Sequence, residues 1–232
     1  MEVIALALPR FIRSTLTAMF IAFSTSCTTA YAESDPQASS QQTVPTAFYP
    51  NVHAQPLQTI YNTALPSVIR VAIRAYNNPF GPILYVQTVG FEEYCEDVLP
   101  NEWIPSWNQQ SLEAGAVAIK MFAWYWSLHP TTQGGWTYDV DNTTNFQKFV
   151  YLSGTPETDS AVQSTWNVTF VPSNGEITPL DYRSGYPGGP NWGFVGSGIM
   201  SQWGTQYWAS VAQEPFTSIL SLYYPGFSLQ FI

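Results

Sequence analysis

The sequence predicts a single α+β domain in which a central buried helix packs with short strands of antiparallel type. Three observations carry that prediction. Alternating apolar and polar residues open the folded part, a helical period replaces them at Phe91, and residues 108–128 are apolar on nearly every side. The length of 232 residues, 45% of them hydrophobic and only 10% charged, suits one domain with a sizeable core and excludes both disorder and a solvated helical rod.

Taken in order, residues 1–32 have the form of a secretory leader. Arg10 and Arg13 precede the apolar run 16–23, and Ala30-Tyr31-Ala32 matches a small-x-small cleavage site. That run is too short to span a bilayer, so the expectation is export to the cell envelope or beyond, with no membrane contact past the cleaved leader. Residues 33–57, rich in Ser, Gln, Thr, Pro and Ala without hydrophobic period, read as a flexible linker, leaving 58–232 as the domain.

Within it, residues 68–76 alternate, with Val68, Arg70, Ala72 and Arg74 on one face and Ile69, Val71 and Ile73 on the other, which predicts a strand with one apolar face. Asn77-Asn78-Pro79 and Gly81-Pro82 break the chain before a second strand at 83–89. Phe91, Tyr94, Cys95, Val98 and Leu99 then recur at helical spacing, Glu92, Glu93, Glu96 and Asp97 form a solvated opposite face, and Pro100 is expected to stop the helix. In the long helix at 108–128, Leu112, Ala116, Ile119, Ala123 and Trp126 make one stripe and Gly115, Ala118 and Phe122 a second. Lys120 sits among them without an evident partner. Between 138 and 182 the runs 148–152, 166–171 and 176–179 read as short strands. Beyond the turn at 185–190, a helix is expected near 201–212 and a last helical turn near 216–222.

Charge narrows the partners. Of seven cations, Arg10 and Arg13 fall in the leader, as does Glu2 of the sixteen acids. Nucleic acid needs clustered cations to replace phosphate counterions, and none are present; anionic membranes are disfavoured for the same reason. Nine Trp and fourteen Tyr exceed what a small core needs, so neutral polyhydroxylated ligands remain. Cys27 leaves with the leader, Cys95 reads as a small buried hydrophobe, and His53 and His129 complete no zinc pattern, so neither metal nor cofactor is expected.

Glu102 is the candidate acid. It lies between Asn101 and Trp103, with Trp107 nearby. A carboxyl packed against indole rings loses solvation, which favours its protonated form and equips it to donate a proton near neutral pH. Glycosidic cleavage needs such an acid, with aromatic platforms for the sugar faces. Asp139, Asp141 and Asp181 are possible second acids or simply turn residues. Gly196-Ser197-Gly198 lacks the Gly-Lys-Ser/Thr ending of a phosphate loop, but the following helix start, with Gln202, offers donors for sugar hydroxyls.

Three segments together resemble the SpoIID/LytB family of bacterial cell-wall proteins. The first is Val89-Gly90-Phe91-Glu92-Glu93-Tyr94 through Val98-Leu99-Pro100-Asn101-Glu102-Trp103, followed by Leu112-Glu113-Ala114-Gly115-Ala116-Val117-Ala118. The second is Tyr138-Asp139-Val140 through Asn142-Thr143-Thr144-Asn145-Phe146-Gln147. The third is Gly198-Ile199-Met200-Ser201-Gln202-Trp203-Gly204-Thr205, with Tyr223-Tyr224-Pro225-Gly226 beyond it. The likeness covers about residues 68–228. It implies lytic transglycosylase chemistry on peptidoglycan glycan strands, with Glu102 as the catalytic acid/base and no obligatory second carboxylate. It further implies that Lys120, Gln147, Tyr182, Ser201 and Gln202 line the binding cleft, to which the residue reading adds Trp103 and Trp107.

The chain departs from the family pattern at three places. Lys120 stands where Arg is common. The His-Gly-x-Gly-Met-Ser-Gln segment is here Gly196-Ser197-Gly198-Ile199-Met200-Ser201-Gln202, without the His. Phe146 occupies the place of a Cys, and the zinc ligands of some relatives are absent. Two functional expectations follow: an exported lytic transglycosylase, or a non-catalytic glycan-binding module that recruits a cell-wall amidase. A secreted scaffold with an aromatic core is the third.

Overall fold

The computed structural model describes residues 64–232; the leader (1–32), the linker (33–57), His53 and the first residues of the expected 58–232 domain lie outside the described residues. In chain order the elements are β1 (Val68–Arg74), β2 (Ile83–Gly90), α1 (Phe91–Glu102), α2 (Gln109–Leu128), β3 (Thr131–Gln133), β4 (Trp136–Tyr138), β5 (Val140–Asp141), α3 (Pro156–Ser164), β6 (Val168–Pro172), β7 (Asp181–Arg183), β8 (Ile199–Ser201), α4 (Gln202–Ser210), α5 (Phe216–Tyr223) and β9 (Phe227–Phe231). The mixture of helices and small sheets is the α+β class that the sequence predicts.

Helix α2 is the expected central helix. Asn108 caps it, its side chain accepting from the Gln110 N–H at 2.9 Å. The helix packs against α1, α3, α4 and α5 and against β1, β5, β6 and β7. Leu112, Ile119 and Trp124 are fully buried along it, each contributing about 1.5–3 kcal/mol through the apolar surface removed from water. Gly115 is required by close approach, because a Cβ there would lie 2.7 Å from two indole carbons of Trp103.

Strand β1 is the middle of a three-stranded sheet, antiparallel to β2 (Val68 opposite Gly90) and parallel to β5 (Val71 opposite Val140). Ile69 and Val71 face the core as predicted, but Ala72 and Arg74 on the other face are buried too, and Ile73 is only half-buried. The cause is the segment around β5, which covers that face with acids. Arg70 pairs with Asp139, and Arg74 donates from Nε to Asp141 Oδ2 at 2.6 Å. Removing one member of the buried Arg74–Asp141 pair would leave an uncompensated charge, at a cost of about 3–5 kcal/mol.

Several expectations need correction. The strand pairs are not all antiparallel: β1–β5 and β7–β8 are parallel, while β1–β2, β3–β4 and β6–β9 are antiparallel. The parallel contacts are two and three residues long and join distant segments, so no periodic pattern announces them. Pro100 does not stop α1, which runs on to Glu102. A proline in the last turn forfeits only the bond its own N–H would have made. That turn is held from outside by Asn101 Nδ2 donating to Ser153 Oγ at 2.7 Å, and the helix closes on its own bond from the Trp103 N–H to Leu99 O at 2.8 Å. Asp97 is not solvated: it is buried and accepts from the N–H groups of Leu152, Ser153 and Gly154 at 2.9, 2.7 and 3.0 Å.

The runs 148–152 and 176–179 are irregular rather than extended, and only 166–171 becomes a strand, β6. Between them α3 forms where no helix was expected. Thr155 and Thr158 exchange side-chain and backbone bonds as a capping box, Pro156 opens the first turn, and Glu157 and Asp159 complement its positive end. Strand β9 and the β3–β4 hairpin were likewise not anticipated.

Candidate active site

Glu102 ends α1, and its position is set by the residue that caps it. Trp103 is buried, with its indole against Gly115 of α2 and edge-on to Tyr182 at 5.0 Å between centroids. Its Nε1 donates to Thr205 Oγ1 of α4 at 3.1 Å, so one side chain ties α1, α2, α4 and β7 together. Trp103 therefore supports the acid from behind and does not line the cleft, contrary to its expected binding role.

The carboxylate of Glu102 has two donors. Lys148 N–H donates to Oε1 at 2.7 Å, and the Gln202 amide donates to Oε2 at 3.2 Å. The same Gln202 nitrogen also donates to the main-chain oxygen of Glu102 at 2.7 Å. Gln202 opens α4, and Ser201 is that helix's cap, its Oγ accepting from Gly204 N–H at 3.0 Å. Burial pushes the Glu102 carboxyl above its ordinary value of 4.5, and the two donors with the Lys148 charge oppose that shift without cancelling it. Such a group holds a proton to higher pH than a free glutamate does.

A cleft of about 500 Å³ opens over this acid. Its apolar wall is Phe122, Trp126, Phe146 and Tyr182; Thr144, Asn145, Ser184 and Gln202 are its neutral polar groups; Asp181 and Arg183 carry its other charges. Tyr182 is held by Gln147, whose amide donates to the phenol oxygen at 3.1 Å while its carbonyl accepts from Tyr94 OH at 3.1 Å. Burial, and then the charge of Glu102, push the Tyr182 hydroxyl well above its ordinary 10, so it stays protonated.

Of the expected site residues, Glu102, Tyr182 and Gln202 line the cleft together. Gln147 and Ser201 are fully buried and act one layer back, on Tyr182 and on the start of α4. Trp107 packs against Trp203, 4.7 Å between centroids, outside the cleft lining. Lys120 is the clearest correction. It is 1% exposed, and its ammonium donates to the carbonyls of Thr165 and Trp166, both at 2.6 Å, over the Trp166 ring at 5.3 Å. It secures the end of α3, where cation and free carbonyls meet favourably, and does not line the cleft. Its burial lowers it from 10.5 to about 7.

Among the possible second acids, Asp139 and Asp141 are engaged by Arg70 and Arg74, whereas Asp181 lines the cleft beside Glu102. Phe122, Trp126, Phe146 and Arg183 were missed as cleft residues. A signal for the first two existed: a helix apolar on every side has more apolar surface than one core interface uses, and one side of α2 faces the cleft. Cys95 is buried and free, as expected of a small hydrophobe. Among the described residues no group of three or more His, Cys, Asp or Glu is placed to hold a metal ion. Also among them, no helix is long and apolar enough to cross a membrane.

Residues 81–171 match the model of the SpoIID family, described as stage II sporulation protein. A 67-residue stretch is 36% identical to an uncharacterized protein of Brachyspira hyodysenteriae. That match spans 29% of this chain and 18% of the relative, so less than a fifth of the relative's length is represented. Over residues 81–171, which include Glu102, the chain thus matches the SpoIID family that its motifs resemble.

Proposed function

We propose that the protein is an exported peptidoglycan lytic transglycosylase, cutting between MurNAc and GlcNAc with Glu102 as its only acid/base. The observation that carries this reading is the environment of Glu102: a partly buried carboxyl, raised above its ordinary range, at the floor of an aromatic-walled cleft. Protonated Glu102 gives its proton to the bridging oxygen, the C1–O bond breaks, and positive charge develops at C1 of MurNAc. The carboxylate left behind takes the proton of the C6 hydroxyl as that oxygen bonds to C1. A 1,6-anhydro ring closes, no water is consumed, and Glu102 regains its proton. Lys148 N–H and the Gln202 amide stabilise the carboxylate during the interval in which it is charged. The aromatic wall stacks sugar faces, and the neutral polar groups suit hydroxyl and acetamido substituents.

The test is to look for 1,6-anhydro-MurNAc ends released from purified glycan strands by the parent and by Glu102→Gln. A second reading, a glycan-binding module that recruits a cell-wall amidase, is favoured by one observation. Residues 196–198, at the head of the segment that lacks the family's His, contribute no side chain to the cleft, and Ser197 Oγ is turned to the Phe194 carbonyl at 2.7 Å. Strand binding without release of either kind of end selects that reading.

A further inference from the structure

A second cleft of about 500 Å³ lies between the turn joining β1 to β2 and the β3–β4 hairpin, and Glu102 does not line it. Its two walls are braced by one buried side chain. Arg74 donates from Nη1 to Gly81 O at 3.0 Å on the turn and from Nη2 to Gln133 Oε1 at 2.7 Å on the hairpin. The guanidinium charge is already balanced by Asp141, and residues 75–85 carry no charged side chain. The cleft is therefore rigid and suited to an uncharged ligand.

The turn presents large apolar rings to water. Tyr76 is 100% exposed, Phe80 95% and Trp136, across the cleft, 39%. It does so on a costly backbone: Tyr76 and Asn77 are left-handed, φ 57° and 50°, at about 1–3 kcal/mol each for residues with a side chain. Asn142 Nδ2 holds the conformation by donating to Asn77 Oδ1 at 2.6 Å. Gly81 closes the turn where a Cβ would lie 2.8 Å from the Ala75 carbonyl. Strain held in place to keep rings out of the core points to a surface that those rings serve.

The two clefts meet at one hydrogen bond. Asn145 lines the Glu102 cleft, and its Nδ2 donates to the carbonyl of Pro79, which lines the second. A chain-like ligand leaving the first cleft past Asn145 arrives at the rings. We infer that Phe80 and Trp136, which line the second cleft, with Tyr76 exposed on the same turn outside its lining, form a second sugar-binding subsite, which stacks a neutral ring of the same glycan strand whose reacting bond lies at Glu102. The inference rests on the proposed function for the identity of the strand, and extends it to a contact away from the cut.

The experiment uses Glu102→Gln protein, so that strands stay intact, and compares it with the same protein carrying Tyr76→Ser and Phe80→Ser, two side chains exposed enough for the fold to be indifferent to them. Each is titrated calorimetrically with a peptide-free glycan tetrasaccharide and with long peptide-free strands. The inference expects the ring variant to bind long strands about tenfold more weakly, equivalent to about 1.4 kcal/mol, and the tetrasaccharide as before. Trp136→Ala should reproduce the effect. Equal weakening on both lengths, or none on either, overturns it, and unchanged strand binding would reassign the rings to a protein partner. The outcome is separable from that of the enzymatic reading. A parent that releases no anhydro ends but loses long-strand affinity with the rings keeps the subsite and loses the enzyme; a parent that cuts, with ring variants that bind normally, does the reverse.

Discussion

Gln202 holds Glu102 at two points with one amide nitrogen, 2.7 Å from the main-chain oxygen and 3.2 Å from Oε2. The first contact fixes where α1 ends relative to α4; the second stabilises the charged carboxylate. Both are lost in Gln202→Leu. Losing a donor to the charged form raises the carboxyl further, so the alkaline limb of the anhydro-forming rate should move to higher pH while the maximal rate falls about a hundredfold, the lower end of what one lost transition-state donor typically costs. A rate–pH profile checks this, and a limb that stays in place would show that the amide acts on position alone.

Glu102→Gln should make the protein more stable at neutral pH. The folded-state carboxyl is raised above 4.5 by burial, so the folded chain holds its proton over a range in which the unfolded chain has released it. Stability therefore falls as pH rises through the folded value, and that loss is absent in the amide. The variant should melt at a higher temperature than the parent at pH 7.5, and the gap should close as pH drops toward 4.5. Thermal unfolding across that range measures it.

Lys120 predicts the opposite slope. Its ammonium titrates near 7 in the folded protein and near 10.5 in the unfolded chain, so the unfolded chain binds the extra proton between those values. Stability contributed through this group rises with pH across that window. From pH 6 to pH 9 the parent should gain about 3 kcal/mol on Lys120→Met, since the two states differ by a proton over the two units from 7 to 9, at roughly 1.4 kcal/mol per unit. Denaturant titrations at both pH values measure the gap, and a constant gap would contradict the assignment.

Gly115→Ala should disturb the acid without touching the cleft. Its Cβ would come 2.7 Å from the Trp103 indole, which must then retreat from α2 and draw the end of α1 with it. The expected outcome is a destabilisation of about 1–3 kcal/mol together with a lower cutting rate, checked by unfolding and rate measurements on the same preparation.

The parts of this fold legible in the sequence are those written in side-chain periodicity. Helix α2 and the first two strands announce themselves that way, whereas Glu102 stands out only through its Trp neighbours and the family resemblance. What periodicity misses is a partner without a side-chain signature. Lys120 looks like a cleft cation because the carbonyls it serves lie 45 and 46 residues further on and belong to the backbone. Asp97 looks solvated because its partners are N–H groups 55 to 57 residues away. Pro100 reads as a stop because the bonds that carry the helix past it come from Ser153 and from the cap at Trp103. The aromatic wall was hidden differently, since Phe122 and Trp126 fit a core stripe as well as a cleft. Helix α3 has a legible start in Thr155, Pro156 and Glu157, which the β-like runs on either side obscure.

The central claim is that Glu102 alone, as acid and then base, closes an anhydro ring. The direct measurement is mass spectrometry of glycan strands, both peptide-free and peptide-bearing, after incubation with the parent protein and with Glu102→Gln. The account predicts 1,6-anhydro-MurNAc ends from the parent and none from the variant. Reducing ends in their place would mean that water is the acceptor and would direct attention to Asp181, which lines the same cleft; equal product from both proteins would contradict the role given to Glu102.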